Sequence, residues 1–172
     1  MNNDTISPNS LAFLALANEY CRSLERAEIA DKDEFVAAIL RLLPRIYICT
    51  SDISTGQDYT PFIAQPYLDE PAYDDVRHAI STLMGEDDTY LEVFTDEMKY
   101  SDSPVCATVS ENLADIYQSL YDATEGCRDA TPEVINATLD SCHDDFSQRW
   151  GQTLVNVLRA LHSIANNADS EA

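Results

Sequence analysis

Residues 101–126, SDSPVCATVSENLADIYQSLYDATEG, carry the reading of the fold. Val105, Val109, Leu113, Ile116 and Leu120 recur at helical spacing, and Cys106, Ala114, Tyr117 and Tyr121 widen the stripe. Glu111, Asp115, Gln118 and Asp122 fall mostly on the opposite side. A helix with so broad an apolar face must be covered by others. Asp102 or Ser103 can cap it, Pro104 suits its first turn, and Gly126 offers a stop. Thr108 and Glu111 form a competing T-x-x-E capping box. The earlier start is preferred because the apolar period already includes Val105.

Toward the N-terminus the pattern is also helical. Asn9 or Ser10 can cap a helix reaching Glu28, with Phe13, Ala17, Tyr20, Cys21 and Leu24 on its apolar face. Asp31 with Glu34 marks the start of a second helix, apolar around most of its girth from Phe35 to Tyr47 and interrupted by Pro44, where a kink is expected. Residues 51–66 have turn composition, and 86–100 hold a short apolar element, Tyr90 to Phe94, that reads as either one helical turn or an extended piece. Between them, Tyr73, Val76, Ile80, Leu83 and Met84 define a helix that starts near Glu70 or Pro71 and stops at Gly85.

Toward the C-terminus, Thr131 and Pro132 repeat the cap-plus-proline device. Ile135, Leu139, Cys142, Phe146, Trp150, Leu154, Val157, Leu158, Leu161 and Ile164 then share one face. A helix from there to about Ala165 spans roughly 50 Å. Gly151 in its middle implies a bend or a close contact. The expectation is an all-α single domain over residues 1–172, a bundle of five or six helices with loose tails at 1–8 and 166–172. Four glycines in the whole chain fit helices with short links.

Thirty-one acidic against ten basic residues give a net charge of −21. The nets are −4 over residues 1–60, −9 over 61–104 and −8 over 105–172, so the acidity is spread along the chain. It argues against direct binding of nucleic acid or anionic membranes. Its plainest role is solubility; its sharper one is a docking face for a basic protein partner. A nucleic-acid mimic is a further alternative, and it needs carboxylates spaced like phosphates, which composition does not supply. Five cysteines without a CxxC pair read as reduced thiols of a cytoplasmic protein. The polar N-terminus is not a signal peptide, and no apolar run has the ~18 residues of a membrane span.

The segments MKYSDSP (98–104), SENLADIYQ (110–118) and RWGQTLVNVLRALH (149–162), with LANEYC (16–21) and LLPRIY (42–47), resemble an uncharacterised bacterial family, domain of unknown function 5063. The resemblance spans nearly the whole chain. It implies a helical single domain and brings no activity, cofactor or catalytic residue with it.

Three constellations stand out as candidate sites. Asp96, Glu97, Lys99, Tyr100 and Asp102 crowd the approach to the central helix, where an N-terminus favours polar ligands; the plainer alternative is a cap with a screening lysine. Tyr59, Phe62 and Tyr67 in or beside the turn-rich segment either pack under it or face a partner. Asp75 with His78 and Asp140 with His143 are two Asp-x-x-His units, a spacing that places carboxylate and imidazole on one helix face, with Glu111 and Asp115 as further oxygens. Di-metal bundles use glutamate there, and His78 points away from its helix's apolar stripe, so solvated histidines are the competing reading.

No GxSxG is present, Cys142 and His143 diverge by about 100° on a helix, and glycines at 56, 85, 126 and 151 cannot build a phosphate loop. No catalytic residue and no cofactor is implied. The functional expectation is an interaction or adaptor module, with a ligand- or metal-binding helical enzyme that has a carboxylate-lined pocket as the alternative.

Overall fold

A computed structural model describes residues 5–54, 64–92, 96–100 and 103–167, with the side chains of 97 and 98 excepted. Helix α1 runs Pro8–Glu25 and α2 runs Lys32–Ser51, joined by a tight turn at Ala27–Ile29. Helix α3 covers Glu70–Met84. Two short strands, β1 (Thr89–Leu91) and β2 (Cys106–Thr108), precede α4 (Val109–Cys127). Helix α5 (Pro132–Asp145) passes through a π-helical turn, Phe146–Trp150, into α6 (Gly151–Asn167). Among the described residues the domain is all-α apart from the strand pair, with four helices, a few short turns and a long C-terminal helical segment. None of the helices described is long and apolar enough to cross a membrane.

Local chemistry sets the helix starts. Asp31 Oδ1 accepts the Glu34 N–H at 3.1 Å, and Asp69 Oδ1 accepts the Ala72 N–H at 2.9 Å ahead of Pro71. The first cap differs from the expected Asn9 or Ser10. Pro8 occupies the first helical position, so the cap falls to Ser7, whose Oγ accepts the Ser10 N–H at 3.0 Å. Asn9 instead donates to the Cys49 carbonyl at 2.9 Å and ties α1 to the end of α2. Helix α2 continues across Pro44 to Ser51, held on both sides by buried Leu42, Leu43 and Ile46. Gly85 takes φ +57° where α3 ends, a conformation side-chain-bearing residues rarely adopt.

The central helix starts later than its apolar period suggests. The chain from 104 is extended; β2 pairs antiparallel with β1, with Thr89 opposite Thr108 and Leu91 opposite Cys106. Thr108 is the cap, its Oγ1 accepting the Glu111 N–H at 3.2 Å, so the T-x-x-E box wins. Buried Asp88 adds a second clamp, accepting the Ser110 N–H at 2.7 Å and its hydroxyl at 2.8 Å. A carboxylate is stabilising at a helix N-terminus. Val105 is half-buried and its carbonyl receives the Glu92 N–H at 2.9 Å, so its place in the stripe came from strand burial. At the other end the helix passes Gly126, and the chain turns at Asp129, which adopts φ 53°.

Helix α4 packs against α1, α3, α5 and α6. Val109, Leu113, Ile116 and Leu120 are fully buried, and the Tyr20 hydroxyl donates to the Leu113 carbonyl at 2.9 Å within the core. Trp150 is completely enclosed and meets Phe146 edge-on at 4.7 Å, and Phe146 in turn meets Tyr47 of α2 at 5.0 Å. Thr131, expected to cap α5, makes no side-chain cap bond; Pro132 at the first position and the Thr131 carbonyl begin that helix. Gly151 is a point of close approach. A Cβ there would lie 2.6 Å from the Phe146 carbonyl oxygen and 3.0 Å from its ring. Only a residue without a Cβ leaves room for the Phe146 carbonyl to accept the Gly151 N–H, the bond that closes the π turn.

Candidate functional site

The polar side of α4 is a seam on which other elements close. Three half-buried residues on successive turns, Asp115, Ser119 and Asp122, each hold a different neighbour. Asp115 accepts the Tyr73 hydroxyl of α3 at 2.8 Å. Asp122 Oδ1 accepts the backbone N–H groups of Tyr67 and Leu68, both at 2.8 Å, and so pins the strap, residues 64–69, that enters α3. Ser119 lies beside Asp145 and Arg149. The Arg149 guanidinium grips Asp145 through two nitrogens, Nε at 3.0 Å and Nη2 at 2.6 Å, and Nη2 also reaches Ser119 Oγ at 2.8 Å. The bond from Asp145 raises the pKa of Arg149 further and keeps it charged.

Between strap and helices lies a groove of about 790 Å³, with α4 as floor and α5 as the far wall. Along α4 its lining passes from Gln118 and Ser119 through Asp122 to Gly126. The apolar end is formed by Tyr67 and Val134, which are 50 % and 41 % exposed. Gly126 lets these elements come close, because a Cβ there would sit 3.2 Å from the Thr138 methyl and 3.6 Å from the Tyr67 ring. At the polar end Arg149 cancels Asp145, so Asp122 is left as the uncompensated charge of the lining. Cys142 is in the wall, but burial raises the pKa of its thiol, so it lines the groove as a protonated apolar group. Burial likewise pushes Cys127 up to about 11. All five cysteines are free thiols.

The residues singled out from the sequence fall in several places. Asp96 and Lys99 pair with each other at 2.7 Å on a short exposed turn; the bond lowers the Asp96 pKa and raises that of Lys99. Tyr100 beside them is 91 % exposed. Asp102 and the Glu97 side chain lie outside the described residues. Because α4 begins at Val109, this turn does not feed the helix N-terminus, which Asp88 and Thr108 occupy. Tyr59 and Phe62 also lie outside the described residues, and Tyr67 reaches the groove.

The two Asp-x-x-His units are on different helices. Asp75 and His78, both exposed on α3, border a second cleft with Ala27, Glu28 and Thr82. Asp140 and His143 are half-buried on α5, with His143 Nδ1 3.8 Å from Asp144. Among the described residues no three His, Cys, Asp or Glu side chains converge on a common point for a metal ion. Glu111 is exposed, and Asp115 is committed to Tyr73.

The groove residues Ser119, Asp122, Ser141, Asp145 and Arg149 were not singled out from the sequence. A signal existed in two places: Ser119 and Asp122 share a face with Asp115, and Asp145 and Arg149 are one turn apart with opposite charge. Neither reveals the strap that makes a wall from them.

The family described as Domain of unknown function (DUF5063) matches residues 4–167. Protein BF1032 from Bacteroides fragilis, known from a crystal structure, is similar to this chain at 31 % identity, with a TM-score of 0.78 over 92 % of each chain. None of the curated proteins matches.

Proposed function

From a chain that belongs to the family of domain of unknown function 5063, we propose a cytoplasmic protein–protein interaction module that engages a basic partner. The observation that carries this reading is the open groove between the strap and α5, flanked by the half-exposed Tyr67 and Val134. Exposed apolar side chains rimmed by polar ones are what partner surfaces offer. The net charge of −21 supplies the sign of the partner, since it draws basic surfaces in at long range and repels acidic ones. Five free thiols, with Cys21, Cys127 and Cys142 held protonated by burial, fit a reducing compartment.

The open form of the groove favours a protein over a small molecule. Drug-sized ligands are typically enclosed over about 70–90 % of their surface. Here Ala64 to Tyr67, Gln118, Val134 and Arg149 all stay exposed, so the groove is a shelf along a helix.

Affinity capture tests the reading. The immobilised full chain is exposed to native lysate at low salt and then washed at about 0.5 M salt, where exposed charge attraction is largely screened. The expected result is retention of basic proteins that the wash releases. Repeated capture of nothing, or of acidic proteins insensitive to salt, removes the reading.

A further inference from the structure

The groove has a direction and a length, and together they specify what fits it. Its α4 floor from Gln118 to Gly126 covers eight steps of about 1.5 Å, or roughly 12 Å. An extended chain advances about 3.3 Å per residue, so the floor matches roughly four residues of extended peptide. Asp122 lies midway along it, and the apolar end at Gly126, Tyr67 and Val134 is four helix residues further on. Four helical steps are about 6 Å, close to two residues of extended chain. Side chains two apart on an extended segment point the same way.

We propose that this groove seats an extended segment of the partner protein in which a lysine or arginine and an apolar side chain are two residues apart. The cation sits at Asp122 and the apolar group between Tyr67 and Val134. The proposal rests on the interaction reading above and assigns it a site and a motif.

The chemistry supports each half. Asp122 Oδ1 is occupied by the N–H groups of Tyr67 and Leu68, but its charge is opposed by no basic side chain in the lining, because Arg149 is committed to Asp145 and Ser119. A partner cation therefore finds its attraction at Asp122 and no net charge one turn earlier, where Arg149 and Asp145 neutralise each other, which favours one position along the floor. Tyr67 and Val134 lose solvent-exposed apolar area when covered, and the missing Cβ of Gly126 lets the Thr138 methyl and the Tyr67 ring close together at that end of the floor. A carboxylate-bearing segment would meet Asp122 and the −21 background with nothing to offset them.

The test uses the full chain and fluorescein-labelled ten-residue peptides, read by fluorescence anisotropy at low and high salt. One carries leucine and lysine two apart, one carries them adjacent, one carries lysines without leucine, and one carries leucine and glutamate two apart. Spermine serves as a small-cation competitor. The two-apart peptide is expected to bind tightest and to weaken with salt. Asp122→Asn keeps an oxygen for the strap N–H groups and is expected to weaken that peptide roughly threefold to tenfold, the range from an exposed to a partly buried ion pair. Val134→Asp, on an exposed position of α5, is expected to weaken it further, with the melting temperature of both variants confirming an intact fold.

Equal binding of the lysine-only peptide, with Asp122→Asn and Val134→Asp both without effect, overturns the groove assignment and leaves a diffuse acidic docking face standing. Stoichiometric displacement by spermine at similar affinity overturns it in favour of a small-amine site. Binding of none of the basic peptides at low salt overturns both the groove and the basic-partner reading.

Discussion

Gly151→Ala separates two physical expectations that have opposite signs. Helix propensity alone makes alanine better than glycine by about 1 kcal/mol inside a helix. The π turn reverses this. A methyl at Gly151 would sit 2.6 Å from the Phe146 carbonyl oxygen and 3.0 and 3.1 Å from two carbons of its ring. The first obstacle is backbone, and the second is a ring wedged between Trp150 and Tyr47, so neither can swing aside without disturbing the core. Overpacking of this kind costs about 1–3 kcal/mol. With two obstacles the upper part of that range applies, and after the propensity gain a net loss of about 1–2 kcal/mol is left. For a chain of this size each kcal/mol moves the melting temperature by about 2–4 °C. Thermal unfolding followed by circular dichroism, with urea titration as a second measure, should therefore show a drop of about 2–8 °C. A melting temperature at or above that of the parent would refute the π turn and return this segment to a plain α-helix.

Other substitutions test neighbouring parts of the account. Trp150→Ala should cost about 3–5 kcal/mol by urea titration, because the side chain is fully enclosed; Trp150→Phe should cost less, since the indole N–H has no hydrogen-bond partner to lose among the described residues. Thr108→Ala should cost about 1 kcal/mol through loss of the α4 cap, while Pro104→Ala, outside the helix, should change the melting temperature little. Buried thiols with raised pKa make the fold alkali-sensitive. The unfolded Cys127 loses its proton near 9.0 and the folded one near about 11, so its contribution is complete below 9 and is lost as pH rises toward 11. Cys21 and Cys142 shift in the same direction. Urea midpoints should be flat from neutral pH to about 9 and fall above it; a midpoint that rises over that window would contradict the burial of these thiols.

The helical class was legible because its signals are local. Phe13 to Leu24, Phe35 to Ile46 and Val109 to Leu120 recur at helical spacing, and all three stripes are buried. The capping carboxylate read at Asp31 precedes a helix it does cap, and the helix expected near Glu70 or Pro71 begins at Glu70. The start of α4 was misplaced because Val105 satisfies the period by accident. A half-buried residue leading into a strand and a helical one look alike in sequence, and the deciding partners, Asp88 and the Thr89–Leu91 strand, are more than ten residues away. The stop was misplaced too, since Gly126 serves the groove and Asp129 makes the turn. Gly151 was legible as a bend or a contact, and the π turn chooses contact. The groove itself was nearly illegible. Asp122 reads as one more solvated acid on a polar face until two backbone N–H groups of a distant strap arrive on it. Arg149 reads as half of a surface pair, which it is, but its place against Ser119 depends on how α5 lies across α4.

The most direct test of the interaction account is a map of where a basic segment touches the folded chain. Backbone amide shifts of the isotope-labelled protein should be followed during titration with the peptide that carries leucine and lysine two apart. The account predicts that the largest changes gather at Tyr67, Asp122, Gly126, Val134 and Thr138 and shrink in high salt. Changes scattered evenly over the acidic surface, or centred on the exposed turn at Asp96–Tyr100, would contradict it.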